Sequence, residues 1–179
     1  MARDGTNRGG PRPGAGRKPK PLFDKIQEGK AGEDLVLPEP VEFQGSDMPP
    51  IKDFLKETQK NGKDLCAEEI FRETWKWLKA KGCEKLVSPS LIEQYAMSVS
   101  RWIQCEECIS EYGFLAKHPT TGAAIASPYV SMAQSFMKQT NQNWYQIQSI
   151  VKENCTSGYG GANPQDDLME RLLSARKGR

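Results

Sequence analysis

The chain has 179 residues, with 25 Lys+Arg against 23 Asp+Glu, one histidine and 37% hydrophobic residues; this apolar share is below the ~45–50% of ordinary globular chains and predicts one modest domain with polar tails. No run approaches the ~18 apolar residues of a membrane helix, and the N-terminus lacks the apolar core of a signal peptide, so a cytoplasmic protein without membrane contact is expected. Five cysteines argue against a disulfide framework, and His118 alone builds neither a His-dependent triad nor a multi-histidine metal site, so the expectation is no cofactor, no metal and no catalysis.

The net charge of +2 hides an asymmetry. Residues 1–21 hold Arg3, Arg8, Arg12, Arg17, Lys18 and Lys20 against Asp4, leaving the remainder of the chain acidic. Gly and Pro fill nine of those positions, so the segment has almost nothing to bury and cannot offset its ordering entropy. Residues 1–50 read as a flexible basic arm and linker. Within the linker, Leu22, Phe23 and Ile26 fit a short amphipathic turn, and Val36, Leu37, Val41 and Phe43 either lie extended across the core or are loose.

Helical periodicity begins after Ile51 and defines a core over residues 51–155. From Asp64 to Lys81, Leu65, Ile70, Phe71, Thr74, Trp75 and Leu78 recur near every 3.6 residues, and Gly82 stops the helix. Trp77 lies opposite Trp75 and Leu78, which predicts its burial between protomers. A second helix starts at Ser88-Pro89, an N-cap followed by proline at the first helical position, and closes at Gly113. Leu91, Ile92, Tyr95, Val99, Trp102, Ile103, Glu106 and Ile109 trace its apolar face, interrupted only by the acid. Residues 114–126 place a Pro-Thr-Thr-Gly turn between two short apolar runs, a small hairpin or an ordered loop. Ser127-Pro128 repeats the cap signature and opens a third helix to about Lys152. The fold class is therefore mainly α: a three-helix core with long antiparallel helices, a hairpin or loop between helices two and three, and flexible N- and C-terminal tails.

Residues 156–179 begin Gly-rich and end in DDLMERLLSARKGR, with acids first and bases last, as the helix macrodipole favours. So short a helix is marginal alone, and on a tether at Gly158, Gly160 and Gly161 it fits either a partner-docking element or a frayed terminus. Leu168, Met169, Leu172 and Leu173 are its candidate contacts.

Few residues here carry chemistry. Cys105-x-x-Cys108 lacks a second ligand pair for zinc and lies late in a helix rather than at its N-terminus, so reduced structural thiols are expected. Glu68, Glu69, Glu73, Glu106, Glu107 and Glu111 read as a solvated face. The arm is the better signal, because Arg8, Arg12, Arg17, Lys18 and Lys20 on Gly/Pro-rich chain are suited to neutralising phosphates; the competing reading is a solubilising tail. A second basic cluster, Lys76, Lys79, Lys81 and Lys85, surrounds the end of the first helix and fits either DNA-backbone contact or an ordinary surface.

In order along the chain, GRKPKP, WKWLKAKG, SLIEQYAMSVSRWIQCEECISEYG and the G-x(5)-P-x-x-G-x(5)-P run of GFLAKHPTTGAAIASP resemble the phage terminase small subunits that open with a GRPPKP-like segment. The resemblance spans about residues 10–155, with Ser127-Pro128 where the family often has Asn-Pro and an unusually Gln-rich third helix. It implies a non-enzymatic packaging factor of the bacterial host cytoplasm. Such subunits form homo-oligomeric rings, bind double-stranded viral DNA and hand it to a large ATPase/nuclease subunit, on which the C-terminal helix would dock. The alternatives are a monomeric or dimeric helical DNA-binding regulator and a scaffold protein without a nucleic-acid role.

Overall fold

Two prolines set the frame. In the computed structural model, which describes residues 20–29, 48–155, 163–166, 168 and 170, Pro89 and Pro128 each occupy the first turn of a long helix. The preceding Ser88 and Ser127 are extended, at ψ 131° and 135°, which is the geometry a residue before proline favours. Neither hydroxyl caps its helix, and Ser88 Oγ instead shares a 2.8 Å hydrogen bond with Ser90 Oγ.

The chain is mainly helical. Its elements are α1 (Leu22–Gln27), a 3-10 turn (Asp53–Leu55), α2 (Ala67–Ala80), α3 (Pro89–Tyr112), β1 (Leu115–Lys117), β2 (Ala124–Ala126) and α4 (Pro128–Asn154). Gly113 ends α3 at φ 83°, a value that glycine adopts without a Cβ penalty. The chain then turns back through an antiparallel hairpin in which Leu115 pairs with Ala126, Ala116 with Ile125 and Lys117 with Ala124. The short run at Leu22 is a six-residue helix packed on α4.

The hairpin makes α3 and α4 antiparallel neighbours. Tyr112 stacks on Tyr129 near the turn, with ring centroids 6.0 Å apart, and seventeen residues back along α3 Tyr95 meets Trp144 at 5.4 Å. α2 lies across the start of α3 and buries Ile70, Phe71, Trp75 and Leu78 in a shared core with Ile92, Tyr95, Val99, Trp144, Ile147 and Val151. Small buried residues on α3, Ala96, Ser98 and Ser100, keep the packing close, and Ser98 Oγ donates to the Tyr95 carbonyl at 2.8 Å. Fully burying each large apolar side chain contributes about 1.5–3 kcal/mol, so this face holds the fold.

Two sequence expectations need correction. α2 begins at Ala67 rather than Asp64, because Asp64 pairs with Thr58 in a bridge and Cys66 takes a left-handed φ of 59° that no helix continues through. Trp77, on the side of α2 away from Trp75 and Leu78, already packs within its own chain: it is half-buried on Trp144, 5.2 Å between ring centroids, which leaves only part of its surface for a neighbouring protomer. The acid on the apolar face of α3 also has a local reason, since Trp102 Nε1 donates to Glu106 Oε1 at 3.2 Å.

Candidate nucleic-acid interface

The basic corner is built by the last turns of α2. Lys76 and Lys79, three residues apart, are exposed on one side of the helix; Lys81, at its C-cap, is half-buried, and Lys85 is exposed in the following turn. Cations here also complement the negative end of the α2 macrodipole, just as Glu68 and Glu69 complement its start. The corner thus has a stabilising role whatever else it binds.

The backbone beneath the corner is fixed. The carbonyl of Lys81 accepts hydrogen bonds from Cys83 Sγ and Cys155 Sγ, each at 3.5 Å, which ties the α2–α3 turn to the end of α4. Burial first, then the neighbouring Cys155 and Glu84, push the Cys83 thiol up to about 12. Cys105 and Cys108, the pair with zinc-like spacing, are also raised by burial, with carboxylates beside them adding to it. A neutral thiol is a weak nucleophile and a poor ligand. Among the described residues no three His, Cys, Asp or Glu side chains group as a metal site.

The other candidates are placed as follows. Lys20 precedes α1 and is paired with Glu28. Arg8, Arg12, Arg17 and Lys18 lie outside the described residues, as do Val36, Leu37, Val41 and Phe43. Leu168, expected on a free tether, is 3% exposed and lines a small crevice with Ile70, Thr74, Tyr95 and Val99 of α2 and α3. Gln165 Nε2 donates to Asn141 Oδ1 of α4 at 2.9 Å, a second tie of this segment to the core. Met169, Leu172 and Leu173 lie outside the described residues.

The acids have structural partners. Glu68 pairs with Arg72 at 2.6 Å, Lys63 reaches Glu107 at 3.7 Å, and the buried Glu93 takes Lys52 Nζ at 2.7 Å. Glu93 lines a groove between α3 and α4 with Met97, Arg101 and Phe136, and its carboxylate is committed to that lysine. No helix of the described residues is long and apolar enough to cross a membrane.

Residues 67–146, from the first turn of α2 well into α4, match the family model described as phage terminase, small subunit. Over this stretch the chain is similar to the phage terminase small subunits. Its matched stretch falls inside residues 10–155, the span of the resemblance in sequence, and consists of α2, α3, the hairpin and most of α4. No curated protein and no solved structure matches the chain.

One feature of this region escapes helical periodicity. Between Glu111 and Glu153 there is no carboxylate at all, while Lys117, Lys138 and Lys152 lie in the interval. The hairpin and α4 therefore form a neutral to basic half, and α2 and α3 carry the acids. The spacing of acids along the chain reveals it; the apolar stripes do not.

Proposed function

We propose that this chain is the small subunit of a phage or prophage terminase: it binds viral duplex DNA, assembles as a homo-oligomeric ring and presents the DNA to a large ATPase/nuclease subunit, without catalysing a reaction itself. The observation that carries this reading is the family match across α2–α4. The arm cations Arg8, Arg12, Arg17, Lys18 and Lys20 neutralise phosphates, and the corner at Lys76, Lys79 and Lys81 adds contacts from the folded domain. Phosphate contacts position the protein without reading sequence, so the arm is a general anchor. The C-terminal segment docks the large subunit through Met169, Leu172 and Leu173, and Leu168 joins them only after leaving its site on the core.

The test is duplex DNA binding across a salt series. Each neutralised phosphate contributes roughly −0.9 to the slope of log K against log salt. Removal of residues 1–21 is expected to flatten that slope by a few units and to weaken binding alike for all sequences. Unchanged affinity and slope would reduce the arm to a solubilising tail.

A further inference from the structure

The end of the molecule away from the corner is left open by simple lengths. α2 has 14 residues and α3 and α4 have 24 and 27, so at 1.5 Å per residue α2 spans about 21 Å against about 36 and 40 Å. α2 runs back along the start of α3, with Ser100 Oγ donating to the Leu65 carbonyl just before α2 begins. Among the described residues α2 therefore does not extend over the last turns of α3, the hairpin and the first turns of α4. There Tyr112, Phe114 and Leu115 are 63%, 66% and 68% exposed, and Met132 and Ile125 are 45% and 38% exposed. Together they expose an apolar surface on the order of 600 Å², at the upper end for a monomer and approaching the ~800 Å² each partner gives to a stable complex.

The hairpin is under-supported in its own right. Two strands of three residues are marginal in water unless a helix or further strands cover them, and here apolar residues are exposed on both faces, Leu115 on one and Phe114 with Ile125 on the other. The ladder also shows which backbone groups are spare. Ser127 N–H donates to the Phe114 carbonyl and His118 N–H to the Ala123 carbonyl. Since bonded and non-bonded pairs alternate in an antiparallel ladder, the third bonded pair is Ala116 with Ile125. The N–H and C=O groups of Ala124 and Ala126 therefore point outward along the β2 edge. That edge is Ala-Ile-Ala, each residue exposed, with no charge or proline of the kind that guards edge strands, whereas the β1 edge carries Lys117.

We propose that the β2 edge pairs with the β2 edge of a second copy of this chain, antiparallel about a two-fold axis through Ile125. Ala124 then faces the partner's Ala126 as a bonded pair, Ala126 faces the partner's Ala124, and the two Ile125 side chains meet across the axis. A single four-stranded sheet results, and the exposed apolar residues of both copies flank it. An isologous contact needs one patch to complement itself, which an uncharged edge with spare groups at symmetric positions does. Duplex DNA is a poor occupant, because nucleic-acid interfaces are strongly positive and, among the described residues, the hairpin offers only Lys117 and His118. A two-fold contact closes a pair and does not itself close a ring, so the edge contact adds to the ring of the packaging reading by joining two such assemblies face to face, and neither depends on the other for its DNA contacts.

The experiment is native mass spectrometry of the full chain, alone and as Ala124→Pro, with Phe114→Ser/Leu115→Ser as a second variant. Proline at 124 removes an outward N–H and leaves the hairpin's own ladder intact. The wild-type chain is expected at an even multiple of 20.0 kDa. Each variant is expected to fall twofold or more in mass with an unchanged helical circular-dichroism spectrum, and the Ala126 amide is expected to exchange about tenfold faster in the proline variant than in wild type. A wild-type monomer, or a proline variant that keeps both the wild-type mass and the slow Ala126 amide, overturns the proposal. Salt-dependent DNA binding by the same chains keeps the two readings apart: a proline variant that keeps the wild-type mass and the slow Ala126 amide refutes the edge contact and leaves the ring, a wild-type monomer refutes both the edge contact and the ring, and a chain that pairs but ignores DNA refutes only the DNA contact of the packaging reading.

Discussion

The two ends of the α3–α4 pair are made of similar residues and have opposite fates. At the end near the α2–α3 turn, Trp144, Leu78, Cys83, Val87, Val151 and Cys155 are all buried, closed over by α2 and its turn. At the hairpin end, Tyr112, Phe114 and Leu115 stand mostly in solvent. The difference lies in what covers each end: among the described residues α2 covers the first and stops short of the second. Exposed apolar area is thus a consequence of helix length.

That contrast predicts a large asymmetry in stability. Ile147→Ala at the closed end removes a fully buried side chain and is expected to cost about 2–5 kcal/mol in denaturant unfolding. Phe114→Ala, assayed where the chain is monomeric, is expected to change stability by no more than about 0.5 kcal/mol. Comparable losses at both ends would mean that the hairpin end is packed after all.

The closed end holds one buried carboxylate, which sharpens the comparison. Lys52→Met leaves Glu93 buried without its 2.7 Å partner, and a loss of about 1–3 kcal/mol is expected by thermal or chemical unfolding. Lys117→Met, on the exposed hairpin, is expected to be neutral within about 0.5 kcal/mol.

A pH effect follows from Cys83. Its thiol is raised to about 12 in the folded chain from an ordinary value of about 8.5, so the folded state favours the protonated form. Its stabilising contribution is complete below about pH 8.5 and diminishes as pH rises toward 12. Unfolding midpoints measured from pH 8 to 11 should fall, and Cys83→Ala should flatten that fall. Thiol labelling at pH 8 should modify the exposed Cys66 well before Cys83 or Cys155; equal rates would show that the closed end opens readily.

Much of this frame is legible in the sequence because its signals are local. Ser88-Pro89, Gly113, Ser127-Pro128 and the Pro-Thr-Thr-Gly turn each act through their own φ and ψ or those of a neighbour, and the α3 and α4 boundaries follow from them. The contacts that close one end are not legible. Cys83 and Cys155 share the Lys81 carbonyl although 72 residues separate them, and Trp77 finds Trp144 across a similar distance in sequence. Periodicity says that a side chain faces inward without saying which helix is long enough to cover it. For the same reason the basic corner can be named from Lys76, Lys79 and Lys81 alone, while the open hairpin end depends on where α2 stops along its neighbours.

The smallest expected effect on folding belongs to the corner. Lys76→Ala/Lys79→Ala should move stability by no more than about 0.5–1 kcal/mol, mostly by removing the favourable charges at the end of the α2 dipole. The same change should lower duplex affinity and reduce the salt slope by about one for each phosphate no longer neutralised. A stability change without any change in DNA binding would assign the corner to the helix alone.

The central claim is that this domain gathers several copies of itself on viral DNA. Mass measurement of the full chain mixed with a short duplex, under conditions that preserve complexes, tests it most directly. The account predicts one duplex held by several chains of 20.0 kDa. Chains that remain single and free of DNA at micromolar concentration and low salt would contradict it.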